Sequence, residues 1–199
     1  MKPVVRTAGW LLLLLSLAAQ AQTAPDALVR TTVNEVLAVI KQNKDQKTLH
    51  DLAEKKVLPH FDFVTMTRLA VGRYWREASE PQKKALENAF RSLLVSTYVT
   101  ALSQSANSNQ TVEVKPVEAK AGQDEVMVRT VVKESGRQPI AIDYRMALGA
   151  GGWKVYDVVV ENLSLVTNYR SSFTSEIARS GIGGLIKTIE DKNRRLGQG

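Results

Sequence analysis

The chain has no cysteine, two histidines and six prolines in 199 residues. Without cysteine there is no disulfide scaffold, no thiolate nucleophile and no Cys-based zinc or iron–sulfur site. Two histidines argue equally against a His-built metal centre. No Pro/Gly-rich block or long run of one charge occurs, and 24% charged with 44% hydrophobic residues is an ordinary globular balance, which excludes disordered and fibrous classes. GxSxG, HExxH, P-loop, EF-hand and GxGxxG patterns are all missing, and Gly181-Ile182-Gly183-Gly184 follows a helical pattern, the wrong context for a dinucleotide site.

What is present begins at the N-terminus. Lys2 and Arg6 precede an apolar stretch from Ala8 to Ala19 holding five consecutive leucines, and Ala19-Gln20-Ala21 supplies a small-x-small cleavage pattern. The stretch is shorter than the roughly 20 apolar residues that span a bilayer. It predicts a signal peptide over 1–21, and an exported, soluble single domain over 22–199. No cysteine stands at the cleavage point, so a lipoprotein is not expected. Losing Lys2 and Arg6 lowers the formal charge of +7 by two and leaves a moderately basic chain. That charge suits an anionic membrane or an acidic partner surface. Nucleic acid would call for a basic stripe interleaved with aromatics, which is missing.

Residues 22–109 read as mainly helical. Val29, Val33, Val36, Leu37 and Ile40 fall at helical spacing over 26–41, and a shorter helix over 45–57 buries Leu49, Leu52 and Ala53 before Pro59 and His60 close it. Asp62 caps a third helix over 63–70, ended by Gly72. Ser79-Glu80-Pro81-Gln82 forms a capping box. It opens a long helix whose stripe of Leu86, Ala89, Phe90, Leu93, Leu94, Thr97, Tyr98, Ala101 and Leu102 is wide enough to face a core.

Over 110–162 the period changes to 2, giving four strands at 111–117, 124–133, 139–148 and 153–161. Short glycine-bearing connections make them an antiparallel meander. On the third, Ile140, Ile142, Tyr144, Met146 and Leu148 share one face, while Ala141, Asp143, Arg145 and Ala147 share the other. Residues 163–199 return to helix. Ser164 caps a segment carrying Leu165, Val166, Tyr169, Phe173 and Ile177 that stops at Ser180-Gly181, and a final helix starts near Gly184. The order describes an α+β domain in which a four-stranded twisted antiparallel sheet is covered on its apolar face by helices.

Catalytic residues are scarce. His50 and His60 carry no triad signature and read as surface or capping residues. Asp143 and Asp157 lie within strands, and a carboxylate facing a sheet-lined cavity can act as a base, although most strand acids are simply solvated. The basic Lys192, Arg194 and Arg195 complement a helix C-terminus. The convergent apolar and aromatic stripes of the 80–102 helix, the sheet and the 165–177 helix either fill a core or enclose a pocket.

Three segments resemble a known family. Asp62-Phe63 through Gly72-Arg73-Tyr74-Trp75-Arg76, with Pro81-Gln82 and Phe90 to Tyr98, is similar to the central helices of the MlaC, or toluene-tolerance auxiliary, family. Trp153-Lys154-Val155-Tyr156-Asp157-Val158, Glu161-Asn162-Leu163-Ser164-Leu165-Val166 and Asn168-Tyr169-Arg170, then Phe173 and Gly184-Leu185, resemble its C-terminal signature. The similarity covers essentially the whole exported chain.

The resemblance implies a periplasmic phospholipid shuttle of Gram-negative bacteria that maintains outer-membrane lipid asymmetry. It would work between an outer-membrane lipoprotein–porin complex and an inner-membrane ABC transporter with an MCE-domain subunit. It implies no catalysis and no cofactor, with phospholipid as cargo. The implied fold is an NTF2-like cone enclosing an apolar cavity, headgroup near the mouth. Val71, Trp75, Leu94, Tyr98, Tyr144, Val158, Leu165, Tyr169 and Phe173 are the chain-lining candidates, and Arg170 is the candidate headgroup or partner contact. Two rival readings stand beside this one: a small-molecule enzyme on a similar cone with Asp143 or Asp157 as base, and a lipid-independent adaptor at a membrane surface.

Overall fold

The computed structural model describes residues 23–42, 45–105, 109–118, 120 and 122–197. The expected signal peptide lies outside the described residues, as do the side chains of Ala101 and Leu102. Helix α1 spans Pro25–Gln42 and α2 Gln46–Leu52, the latter continuing through a π-helical turn, Ala53–Val57, and a 3-10 turn, Leu58–His60. Helix α3 is Phe63–Val71, followed by a 3-10 segment, Gly72–Arg76, and then by the long α4, Glu80–Ser105.

The helix starts are fixed by local chemistry. Asp45 accepts from the Lys47 and Thr48 amides, and Asp62 accepts from the Thr65 amide. At α4 the Ser79 N–H donates to Gln82 Oε1 at 3.0 Å and the Gln82 N–H to Ser79 Oγ at 3.4 Å, the reciprocal pattern expected of a capping box.

Five strands form one antiparallel sheet in the order β1-β2-β3-β4-β5: Thr111–Val114, Glu125–Lys133, Ile140–Gly149, Gly152–Val160 and Leu163–Ser164. The two-residue β5 adds to the four strands read from periodicity. It pairs with β4 through the turn Glu161-Asn162, whose φ values of 49° and 66° are those of a two-residue hairpin turn. Glu161 tolerates that backbone because it is tied to β3: its N–H donates to the Ala141 carbonyl and its carboxylate accepts the Ala141 N–H at 2.6 Å. Too short to show any alternation, β5 carries no periodic signal.

Directly paired residues of antiparallel neighbours point to the same face. The register pairs Val126 with Met146, Val128 with Tyr144, Thr130 with Ile142, Tyr144 with Val158 and Ile142 with Val160. One face is therefore apolar apart from Thr130, whose hydroxyl donates to the Ile142 carbonyl, and the division of β3 into two faces agrees with the sequence reading. A register shift at Arg145/Met146 skips Tyr156 on β4. Such a bulge flips the alternation, so Val155 shares the apolar face with Val158 while Asp157 and Val159 point outward.

Helix α5 spans Leu165–Leu196 and is kinked at Gly181, where φ is 72°. The stop expected at Ser180-Gly181 is thus a bend, after which the chain resumes helix at once instead of near Gly184. Glu176 braces the bend by accepting hydrogen bonds from Ser180 Oγ on one side and Thr188 Oγ1 on the other.

Candidate functional site

Among the described residues the buried side chains fall into three clusters, where a filled domain of this size has one contiguous core. The largest joins α3, α4 and α5 through Met66, Leu86, Phe90, Leu93, Phe173 and Leu185. A second joins the sheet to α1 through Val29, Val114, Val126, Val128, Met146, Trp153 and Val155. The third is a small contact between α2 and α4, Leu49 with Val95. Phe61 touches both large clusters, and the Asp62 N–H donates to the Val155 carbonyl at 2.8 Å, so this segment closes one end of the fold.

The elements pack as a ring. Helix α1 lies on β1 and β2, α2 on α1 and α4, α4 on α5, and α5 on β4. Among the described residues, no comparable packing joins α4 to the sheet or α1 to α5 across the ring. Apolar side chains at the margins of these clusters keep accessible surface: Val33, Tyr144 and Val158 on the sheet side, Leu165 and Tyr169 on the helical side.

Tyr144 stands on the apolar sheet face opposite Val128 and Val158. Burial pushes its phenol up to about 12, with the Thr130 hydroxyl as hydrogen-bond partner. The residue nevertheless retains accessible surface. Such a side chain, enclosed yet still accessible, is placed to line a hollow over the apolar sheet face. Tyr98 is 43% exposed, and burial and its neighbour Tyr169 raise its phenol above the ordinary value; burial raises that of Tyr169 as well. Two neutral hydroxyl groups thus stand together on the α4–α5 side. At the sheet end where β3 begins and β4 finishes, Ile140 and Leu163 are 44% and 74% exposed, which leaves an apolar rim on the same face as Ile142 and Val160.

The predicted lining residues divide accordingly. Tyr144, Val158, Leu165, Tyr169 and Tyr98 keep accessible surface, the first two on the sheet and the last three on the helices. Val71, Leu94 and Phe173 are buried inside the helical cluster, where the Phe90 ring makes edge contacts with Tyr169 at 4.9 Å and Phe173 at 5.2 Å. These three residues back the wall, while Trp75 packs half-buried on the same cluster with Lys83 over its ring. Arg170 is exposed, lies against Gly72 and joins no ion pair among the described residues. Sequence reasoning passed over Val33, Ile142 and Val160, although the two-residue period that selected Tyr144 places Ile142 beside it.

Neither strand aspartate lies on the apolar sheet face. Asp143 pairs with Arg129 and Val159 on the outer sheet face. Asp157 is buried on that outer side, accepting from Ser164 Oγ at 2.7 Å and the Val166 N–H at 3.1 Å, with Arg145 at 3.6 Å. The carboxylate is fully occupied in holding α5 to the sheet, so the cavity base required by the enzyme reading has no candidate among the sheet aspartates. His60 is partly buried, and burial together with Lys154 lowers its imidazole below the usual value. Among the described residues no group of three His, Asp or Glu is placed to hold a metal ion, and no helix is long and apolar enough to cross a membrane. A separate open groove between α4 and α5 is lined by Ala85, Asn88, Ala89, Ser92, Glu190, Asn193 and Arg194.

Comparison with known proteins agrees with this geometry. The family model described as MlaC protein matches residues 30–191. The intermembrane phospholipid transport system binding protein MlaC of Haemophilus influenzae is 22% identical over 178 residues, covering 85% of this chain and 82% of that protein. The toluene tolerance protein ttg2D of Pseudomonas putida is 27% identical over 183 residues, covering 89% and 82%. Among solved structures, a phospholipid-binding protein from Ralstonia solanacearum, in complex with a phospholipid, is 36% identical with a TM-score of 0.79, covering 88% of this chain and 99% of that one. With the family model spanning most of its length and a solved relative matched almost end to end, the chain belongs to the MlaC family.

Proposed function

We infer that this protein binds a phospholipid in the hollow between the sheet and helices α1, α4 and α5, and that it serves phospholipid transport. The observation that carries the reading is Tyr144, which stands opposite Val128 and Val158 on the apolar sheet face and keeps accessible surface although burial raises its phenol, as a residue lining an apolar hollow would. Acyl chains would lie along Tyr144, Val158, Val33 and Leu165, and the headgroup would sit at the end marked by Ile140, Leu163, Tyr98 and Tyr169. The solved relative bound to a phospholipid and the names of the curated relatives support the same cargo.

Enclosure is what such a carrier must provide. Two chains of roughly sixteen carbons left in water would cost on the order of 25 kcal/mol at about 0.8 kcal/mol per methylene. A barrier of that size makes free release into water far too slow, so exchange takes place while the protein is docked on a partner. We propose that residues 1–21 export the chain to the periplasm of a Gram-negative cell. There it would shuttle lipid between an outer-membrane lipoprotein–porin complex and an inner-membrane ABC transporter with an MCE-domain subunit, maintaining outer-membrane asymmetry. The protein needs no catalytic group for this work.

A transfer assay tests the reading. Protein purified after export is incubated with vesicles containing a headgroup-labelled phospholipid and re-isolated by size exclusion. Label should co-elute with the protein and withstand dilution; label that stays entirely with the vesicles contradicts the carrier function.

A further inference from the structure

We infer that the arginines gathered around Gly72 form a docking surface for an acidic protein partner. Among the described residues, half of the arginines are held in ion pairs. Four of the remaining six are exposed and border Gly72: Arg68, Arg73 and Arg76 lie within four residues of it along the chain, and Arg170 packs against it. The Arg68 carbonyl accepts the Gly72 N–H, and Arg73 and Arg76 lie on the 3-10 segment that Gly72 begins. Arg170 arrives from α5: a Cβ on Gly72 would stand 3.0 Å from its Nε and 3.4 Å from its Cζ. Gly72, with φ at 64°, is what lets the guanidinium lie on the backbone.

Two of these cations are held in place before any partner arrives. Arg170 rests on Gly72, and Arg73 has its Cζ 4.9 Å from the Tyr74 ring centroid while its Nη2 donates to the Tyr74 hydroxyl at 3.0 Å. Glu77, the nearest acid along the segment, acts on Arg73 through space but joins no ion pair among the described residues, and one carboxylate against four guanidinium groups leaves the surface net positive. A guanidinium is a planar fork that pairs two-pronged with carboxylate, and a fork already positioned loses less rotamer freedom on binding.

The surroundings favour a protein over a bilayer. A membrane-binding surface sets large apolar side chains among its cations to enter the headgroup layer. Here Tyr74 and Trp75 are half-buried against the helical core, and Val64, one helical turn before Arg68 and 50% exposed, is the large apolar residue left near the patch. The other exposed large apolar residues, Tyr98, Ile140, Leu148 and Leu163, belong to α4 and the sheet. A ring of arginines about one small apolar spot fits a protein surface that carries several Asp or Glu around a shallow apolar patch.

The test uses 15N-labelled protein purified after export, with hexaglutamate peptide and phosphatidylglycerol vesicles as separate probes. Hexaglutamate should shift the amides of residues 68–76 and 170, with an affinity that falls as salt is raised. Arg68→Glu with Arg76→Glu should weaken it at least tenfold, Arg68→Lys with Arg76→Lys only a few-fold, and Lys187→Glu with Arg195→Glu less than twofold. Vesicle flotation should be the same for wild type and the Arg68→Glu/Arg76→Glu variant, and thermal melts of the variants verify that they fold. Peptide shifts centred on 187–195, unchanged peptide affinity in the charge-reversed variant, or vesicle binding abolished by that variant would each overturn the proposal.

Discussion

The carboxylate of Asp157 accepts the backbone N–H of Val166 at 3.1 Å, so a residue inside β4 serves as an anchor for the first turn of α5. Ser164, which caps the same helix through the Thr167 N–H, donates its own hydroxyl to Asp157 at 2.7 Å. Sheet and helix are joined at this point, in the turn of α5 that carries Leu165 and Tyr169. Asp157→Ala leaves a buried N–H and a hydroxyl without their acceptor and should cost about 3 kcal/mol in urea unfolding. Asp157→Asn keeps an acceptor oxygen and should cost about 1 kcal/mol, with lipid occupancy retained. A catalytic base would behave in the opposite way, with activity lost and stability little changed.

Tyr144 should be the last tyrosine to titrate. Its phenol stands at about 12 in the folded protein, well above its ordinary value, because enclosure penalises the phenolate. With the folded value above the unfolded one, the contribution of Tyr144 is present in full below about pH 10. It is lost as the pH climbs toward the folded value. Absorbance titration near 295 nm should show one tyrosine ionising only near pH 12 or together with unfolding, and Tyr144→Phe should remove that step.

Filling the hollow should separate binding from folding. Val158 stands opposite Tyr144 on the apolar sheet face and keeps accessible surface. Val158→Trp places an indole in space that lipid would otherwise occupy, and it should reduce co-purifying lipid at least fivefold while the melting temperature stays within a few degrees. A large loss of stability would mean that the space around Val158 is already packed. Truncating Leu94 and Tyr98 together to alanine should also lower occupancy, with a stability cost of about 2–4 kcal/mol because Leu94 is buried in the helical cluster.

Gly72→Ala should destabilise the protein by about 1–3 kcal/mol, since its φ of 64° with ψ of −134° is strained for an L residue and the new methyl would press on Arg170. The double variant Gly72→Ala/Arg170→Ala removes the contact but not the backbone strain. Recovery of a minor part of the loss is therefore expected in thermal melts. Full recovery would show that the Arg170 contact, and not the backbone, dictates glycine at this position.

The sequence made legible what is decided locally. Ser79 with Gln82, Asp62 with Thr65 and Ser164 with Thr167 are caps spanning three residues, and all three form. The two faces of β3 follow from period 2. The bulge that skips Tyr156 was not readable, because it depends on the register between strands, and it is this bulge that turns Asp157 outward while Val158 remains on the apolar face. The site was only half readable for a related reason. An apolar side chain that fills a core and one that lines a hollow have the same chemistry, and the distinction between buried Val71 or Phe173 and accessible Tyr144 or Tyr169 arises from how α4, α5 and the sheet are spaced. The approach of Arg170 to Gly72 joins segments far apart in the chain and leaves no local trace.

Native mass spectrometry of the protein purified after export, paired with lipid extraction from the same sample, tests the central claim most directly. Binding in the hollow predicts a protein mass increased by that of phospholipid in stoichiometric amount, and near-complete loss of that adduct in Val158→Trp. A folded protein that carries no lipid, and still carries none after incubation with phospholipid vesicles, would contradict it.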